Sequence, residues 1–379
     1  MDRSWVKHIV IILVFALFIP FSVAHSEEAK AKDFKFTIDK SNADQYKESL
    51  PAGLYFQIKN WGRKINVYET MNDYVFPKEY RETTEKYKGT ARVNAKGGLE
   101  NYKGGVPFPD PKTGFEVAYN FENRYKGGDH FVHGYDMMIV STNEKVRTMK
   151  GSAMFLTPPP GSEFSAKSIN GIISPEDVAG LKLLTYRYRD PDKKDDTWMY
   201  VPSIRRMRRI STAQRGDSSA GTDWTWDDAQ GFDAKISDFN WKFIGKKKIF
   251  TNFHGPERGY QRDGFVFRAD EVRFELRDVY VVEAVNKAKD YVYSKALYYF
   301  DAECLFVSGA DHYDKKGNLW KYAEVGYAVR KNGEINVNNF YMADLIGHKV
   351  SMAQNLVFKY NNGFKEEQFS TTSVQSMQR

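Results

Sequence analysis

From about Gly151 to Tyr360 the chain is divided at short, regular intervals into segments rich in aromatic and β-branched residues. Leu183–Arg189, Trp198–Val201, Trp241–Ile249 and Phe274–Val282 read this way, as do Tyr291–Phe300, Leu305–Tyr313, Leu319–Val329 and Leu356–Tyr360. Turn formers separate them, with Asp314, Gly317 and Asn318 in one hairpin turn and Lys331, Asn332 and Gly333 in another. This spacing predicts one large, strongly curved antiparallel sheet rather than a parallel sheet threaded with helices. Within YVYSKALYYF one face takes Tyr291, Tyr293, Lys295, Leu297 and Tyr299, and the other takes Val292, Ser294, Ala296, Tyr298 and Phe300. Both faces are partly apolar, so both must be covered or must hold a ligand.

The N-terminal third mixes helical segments with Gly/Pro-rich connections. Ser41 suits the cap of a helix running toward Leu50, with Pro51 to Gly53 as its stop, and a second helix is expected over Lys78–Tyr87 before Gly89. Residues 96–114 read as loop. No linker composition separates two independent units, so residues 27–150 are expected to pack on the same fold as 151–379.

Arg3 and Lys7 precede an apolar run from Ile9 to Phe21, followed by small residues at Ser22, Ala24 and Ser26. That pattern is a secretory signal peptide over residues 1–26, since the run is well short of the roughly 20 residues a spanning helix needs. It predicts an exported, periplasmic chain with no transmembrane segment after cleavage. Cys304 stands alone, which excludes an internal disulfide, and its strand-like setting reads as a small buried hydrophobe rather than a nucleophile. Aromatic residues make up 15% of the chain, which suits large aromatic sheet faces or an apolar binding surface.

The stretch TWMYVPSIRRMRRIS carries Arg205, Arg206, Arg208 and Arg209 behind Pro202. It fits a strand, a turn at the proline and a second strand whose arginines face water or acidic neighbours. From Arg187 to Asp238 ten basic residues meet ten aspartates, so the local balance is zero. Nucleic-acid binding needs uncompensated positive charge to displace counterions from phosphates, and this segment has none.

WMYVPSIRRMRRIS followed by Gly221, Asp223, Trp224, Trp226, Asp227 and Asp228 resembles the periplasmic outer-membrane lipoprotein-sorting proteins. It is most similar to their relatives of uncharacterised function with a LolA/LolB-like fold. Those relatives carry a W-x-Y-x-P strand, an R-R-x-R-R-I run and a G-[ST]-D-[aromatic]-x-[aromatic]-[DE]-D segment. Tyr200, Pro202, the four arginines, Gly221, Asp223 and Asp228 hold the matching positions. Segments around Phe232, Tyr299 to Asp301, Tyr313 to Gly317 and the N-terminal LPAGLYFQIKNWGRKINVYET also look like the family, so the likeness extends over most of the chain. The resemblance implies a mainly β (α+β) fold, a curved antiparallel half-barrel with helices across its concave face and an apolar cavity between. Trp198, Tyr200, Trp224, Trp226, Phe232 and Trp241 are the lining candidates, each of which can equally be plain core. Arg205, Arg206, Arg208 and Arg209 with Asp223 and Asp228 would form ion pairs that tie the following loop to the sheet, or would gate the cavity.

Catalytic motifs are sparse. His130 and His133 could ligate a metal, but only Asp129 and Asp136 are near in sequence, which is weak for zinc. Asp227 and Asp228 would diverge on a strand, which is unhelpful for paired acid/base work. No nucleophile elbow, phosphate loop or dinucleotide fingerprint appears, and no cofactor is expected. The leading expectation is a non-catalytic periplasmic carrier or chaperone for lipid, lipoprotein acyl chains or another hydrophobic cargo. The resemblance suggests an exporter of the resistance-nodulation-division type or an outer-membrane protein as partner. An envelope enzyme acting on lipids or glycans, or a ligand-free structural protein, are the competing expectations.

Overall fold

The computed structural model describes residues 33–377 except 128–129, 142, 144, 212, 220, 257, 330–334 and 355, and it leaves out the side chains of 130–133 and 213. The leader, the turn at Lys331 to Gly333, Asp129 and the imidazoles of His130 and His133 therefore lie outside the described residues. Two compact units divide the chain: Met1–Phe34, almost wholly outside the described residues, and Lys35–Arg379, which contains the helices and nearly all of the sheet.

Sixteen strands make one sheet. In chain order they are β1 (Phe34–Ile38), β2 (Ile65–Tyr68), β5 (His130–Val140), β6 (Val146–Leu156), β7 (Phe164–Ser174), β8 (Lys182–Tyr188), β9 (Asp196–Val201) and β10 (Arg206–Ile210). They continue as β11 (Phe239–Asn252), β14 (Arg273–Asn286), β15 (Lys295–Asp301), β16 (Val307–Tyr313), β17 (Leu319–Val329), β18 (Ile335–Asp344), β19 (Lys349–Gln354) and β20 (Val357–Tyr360). Two small ladders, β3 (Arg92–Val93) with β4 (Leu99–Glu100) and β12 (Arg262–Asp263) with β13 (Val266–Phe267), stand apart. The main order runs β1-β2-β14-β15-β16-β17-β18-β19-β5-β6-β7-β8-β9-β10, with β11 added on β14 and β20 on β5.

The sheet is mixed and does not close, in contrast to the wholly antiparallel pattern that the sequence suggests. β2 lies parallel to β14, with Asn66 opposite Arg273. Hairpin-linked neighbours must be antiparallel, but β2 reaches β14 through a connection of some two hundred residues that imposes no such direction. Strands also occur earlier than expected: β1 and β2 lie in the N-terminal third, and the long succession of strands begins at His130 rather than Gly151. Its alternation there is blurred by glycine and methionine.

Among the described residues four α-helices accompany the sheet: α1 (Ala52–Asn60), α2 (Lys78–Tyr87), α3 (Gly114–Glu122) and α4 (Thr371–Ser376). α2 has the bounds that its sequence predicts. Pro51 opens α1 instead of stopping a helix, while only a 3-10 turn, Ala43–Ser49, precedes it. Proline has no N–H to lose at a helix start, and its φ of −49° already suits one. α3 begins at Gly114, the last residue of the stretch that reads as loop. Its start is set by a capping box in which Thr113 accepts from the Glu116 N–H while the Glu116 carboxylate accepts from the Thr113 N–H.

The central strands are buried on both sides: every residue of β18 and all but the ends of β17 are inaccessible. Alternate residues join different cores. Ala323, Val325, Tyr327, Phe340 and Met342 belong to one cluster, with Val117 and Phe121 of α3. Tyr322, Tyr341 and Ala343 belong to the other, with Leu54 and Ile58 of α1. Helices thus lie over both faces, not one. α1 comes so close to β17 that a Cβ on Gly53 would stand 2.3 Å from that of Tyr322. Its first N–H groups, those of Ala52 and Gly53, donate to the Asp311 carboxylate at 2.8 Å each.

Under α1, Arg63 is 1% exposed and donates to Glu324 at 2.8 Å and to Gln57 at 2.7 Å. Arg63→Ala leaves the Glu324 charge buried without its partner and is expected to lower stability by about 3–5 kcal/mol, read from urea unfolding. A loss under about 1 kcal/mol would show that the pair is dispensable.

Candidate functional site

The sheet face that receives α3 is not filled by side chains everywhere. A cavity of about 180 Å³ lies between strands β18, β19, β5, β6, β7 and β8 and a roof formed by the chain from Ser219 to Ile236. Met137, Ala153, Ile172, Leu183, Val337 and Phe340 floor it, each from the same face of its strand. Trp224, Trp226 and Phe232 hang from the roof, and Phe121 closes the side. The Trp224 ring meets Phe340 at 5.2 Å, and Phe232 packs edge-on against Trp241 at 5.3 Å. At Gly231 the roof turns with φ of +97°, and a Cβ there would press on Val307 and Val325 at 3.0 Å.

Of the six candidate lining residues, Trp224, Trp226 and Phe232 stand on the cavity wall. Trp241 packs behind Phe232, its indole donating to the Ile236 carbonyl at 2.9 Å. Trp198 and Tyr200 do not reach the cavity. Trp198 pairs with Leu184, the neighbour of the cavity residue Leu183 but on the other side of the sheet. There Trp198 and Tyr200 pack against Phe369 and Val374 at the C-terminus.

The roof is held by buried charge. Arg215, 2% exposed, donates to Asp227 at 2.8 Å and to the Asp233 carbonyl at 2.7 Å. Arg187 of β8 donates to the Asp233 carboxylate at 2.9 Å and to Asp195 at 3.1 Å. Burial pushes Asp227 up to about 6, against the pull of Arg215. Asp223 pairs with Lys349 at 2.9 Å and accepts from the Ser351 hydroxyl at 2.8 Å. Asp228 caps its own turn, accepting from the Thr225 N–H and from the Tyr293 hydroxyl, each at 2.8 Å.

The paired arginines are elsewhere. β10 is the edge strand, and Arg205, Arg206, Arg208 and Arg209 are exposed on it or in the turn before it. Arg209 pairs with Asp196, and among the described residues no ion pair joins any of the four to Asp223 or Asp228. Sequence reasoning missed the arginines that do hold the roof, Arg187 and Arg215. Their only signal was the even local balance of charge, which fits buried pairing as well as solvated pairing.

One end of the cavity is polar, with Glu122, Arg124, Lys126, Arg187 and Asp233 on its wall. Burial lowers the Arg124 guanidinium below its ordinary value. Lys126 is pushed down to about 7, first by burial and then by Arg124. Cys304 is fully buried and its thiol is raised well above its usual value by burial, which makes it inert. Asp227 and Asp228 are tied up in the roof rather than facing a substrate. Among the described residues no helix is long and apolar enough to cross a membrane.

A family model for proteins of unknown function, DUF1329, matches residues 37–378. The chain belongs to the DUF1329 family. An uncharacterized protein of Pseudomonas aeruginosa is 27% identical over 316 residues, covering 76% of this chain and 68% of that one. Two solved structures align over 69% of the chain, each with a TM-score of 0.54. One is a putative outer membrane lipoprotein-sorting protein domain from Vibrio parahaemolyticus, 19% identical and covered over 98% of its length. The other is a DUF1329 family protein from Desulfovibrio piger, 21% identical and covered over 97%. At these identities the likeness is one of fold alone.

Behind the roof, His312 is fully buried and among the described residues neither ring nitrogen has a hydrogen bond, its ring 4.3 Å from that of Tyr293. Burial pushes it down to about 4. The folded imidazole stays neutral where an unfolded one, near 6.5, takes up a proton, so acid favours unfolding. The stability involved is fully present above pH ~6.5 and is lost as pH falls to about 4, on the order of 3 kcal/mol. Compared by urea unfolding from about pH 7 to about pH 4.5, His312→Phe is expected to lose less stability than the wild type. Parallel curves would show that His312 does not titrate on unfolding.

Proposed function

We propose that this protein is a periplasmic carrier that shields an acyl chain or a similar apolar group in the cavity beneath the Ser219–Ile236 roof. The observation that carries this reading is a void walled by the apolar side chains of Trp224, Phe232, Val337 and Phe340. Protein interiors rarely leave such space, and dry apolar cavities of about 150 Å³ take up benzene-sized guests. Each methylene moved from water into it contributes about 0.8 kcal/mol. Trp224, Trp226 and Phe232 are the ligand contacts in this reading, and the roof is the part that moves aside for entry. The cavity-bearing face is taken as the concave side of a half-barrel, and residues 1–26 as a cleaved export leader. The Vibrio parahaemolyticus structure, described as a lipoprotein-sorting domain, supports the same class of cargo. Cargo would pass to an envelope membrane protein, such as an exporter or an outer-membrane protein.

Titration with 1-alkanols from butanol to octanol, followed by tryptophan fluorescence, tests the reading. Affinity is expected to tighten about fourfold per methylene until the space is full. Ala153→Leu, which places its isobutyl group in the cavity, is expected to weaken octanol binding by about tenfold while the unfolding midpoint holds. Binding that ignores chain length, or that survives in the filled variant, would sink the proposal.

A further inference from the structure

Resting on that reading, we propose that Arg124 and Lys126 form a head-group site, so that the cargo is an amphiphile with a compact oxyanion, a carboxylate or phosphate, beside its apolar tail. The two side chains stand on the wall of the same cavity as Trp224 and Phe340. They follow the C-terminus of α3, and the Arg124 guanidinium is sandwiched between the rings of Phe121 at 4.0 Å and Phe306 at 4.5 Å. That stacking fixes the plane of the guanidinium and leaves its edge for hydrogen bonding.

The inventory of partners is one-sided. The carboxylates at this end are occupied: Asp233 accepts from Arg187 and Arg215, and Glu122 accepts from the Ser165 hydroxyl at 3.3 Å. The donors are not. Arg124 gives one nitrogen to the Phe121 carbonyl at 2.7 Å, as a cation closing a helix does, but among the described residues its buried Nε has no partner. Among the described residues Lys126 has neither a hydrogen bond nor an ion pair, although it is half-buried. Buried donors without acceptors are costly, and a cation needs a counter-charge when water is excluded. An oxyanion supplies both, and Arg is suited to hold it through two parallel bonds. Glu122 lies in the same field and works against the anion, so the site selects for a head group that reaches the arginine rather than for negative charge in general.

The test uses the full mature chain at about pH 6, where Lys126 is charged, with dodecanoate, dodecyl phosphate and neutral dodecan-1-ol as probes read by tryptophan fluorescence. At least one of the two anions is expected to bind about tenfold more tightly than the alcohol, and the preferred anion identifies the head group as carboxylate or phosphate. Lys126→Gln and Arg124→Gln are each expected to weaken that anion by about tenfold and the alcohol by less than about twofold. Arg124→Lys, which keeps the charge and the stacking stem but lacks the fork, separates loss of geometry from loss of fold, and an intermediate effect is expected. Alcohol binding equal to that of both anions, or variants that weaken all three probes alike, overturns the head-group site while leaving the carrier reading intact. Failure of all three probes to bind overturns both.

Discussion

A strand buried on both faces cannot be stable until something lies over each side, and β17 and β18 impose that demand on the rest of the chain. α1 answers it on the Tyr322 and Tyr341 side, where Arg63 and Glu324 must neutralise each other as the helix closes. On the other side α3 covers part of the sheet and the Ser219–Ile236 roof covers the remainder. The two coverings differ in kind. α1 is pressed to within contact of β17 at Gly53, whereas the roof touches the sheet at points such as Trp224 on Phe340 and Gly231 on Val307, and leaves space beside them.

That difference arises from how each covering is attached. α1 is held chiefly by apolar side chains, with Leu54 and Ile58 fully buried. The roof is held by ion pairs spread along it, from Arg215 to Asp227 and Asp233, from Arg187 of β8 to Asp233, and from Lys349 to Asp223. Charge-assisted bonds fix points of a loop at set distances without requiring the segments between them to collapse onto the sheet. An entirely hydrophobic roof would lower its free energy by filling the void. Polar ties keep the span and therefore the cavity.

Much of the sheet was legible because its signal is local. The β17 segment alternates and ends in turn residues, so its bounds are readable, and the turn after β16 closes as its sequence suggests, with the Asp314 N–H donating to the Asn318 carbonyl. β18 and β19 were not legible, because strands buried on both faces lack the polar alternation that marks a half-exposed strand. α3 was missed because it follows directly on a stretch rich in glycine and proline, and its clue was Thr113 three residues before Glu116. Three of the six aromatic candidates reached the cavity, since Trp224, Trp226 and Phe232 lie on one irregular segment. Trp198 and Tyr200 went to the opposite side through strand parity, which depends on register and so on pairing partners distant in sequence.

The arginine-rich stretch illustrates why charge count does not locate charge function. Arg206 and Arg208 sit on an edge strand in water, where isolated cations contribute little to stability and serve to discourage pairing with another sheet. Arg187 and Arg215, in the same zero-balance segment, are buried and organise the roof. Desolvation separates the two sets. A guanidinium in water has its hydration and needs nothing, whereas one under the roof must find carboxylates, and the fold supplies Asp195, Asp227 and Asp233. By the same criterion Arg124 and Lys126 stand apart: half-buried, set beside an apolar void, and among the described residues without an ion pair to a carboxylate. An unmet demand of that kind is tolerable where the missing partner arrives with the ligand, because its cost is then recovered on binding and becomes selectivity for the head group.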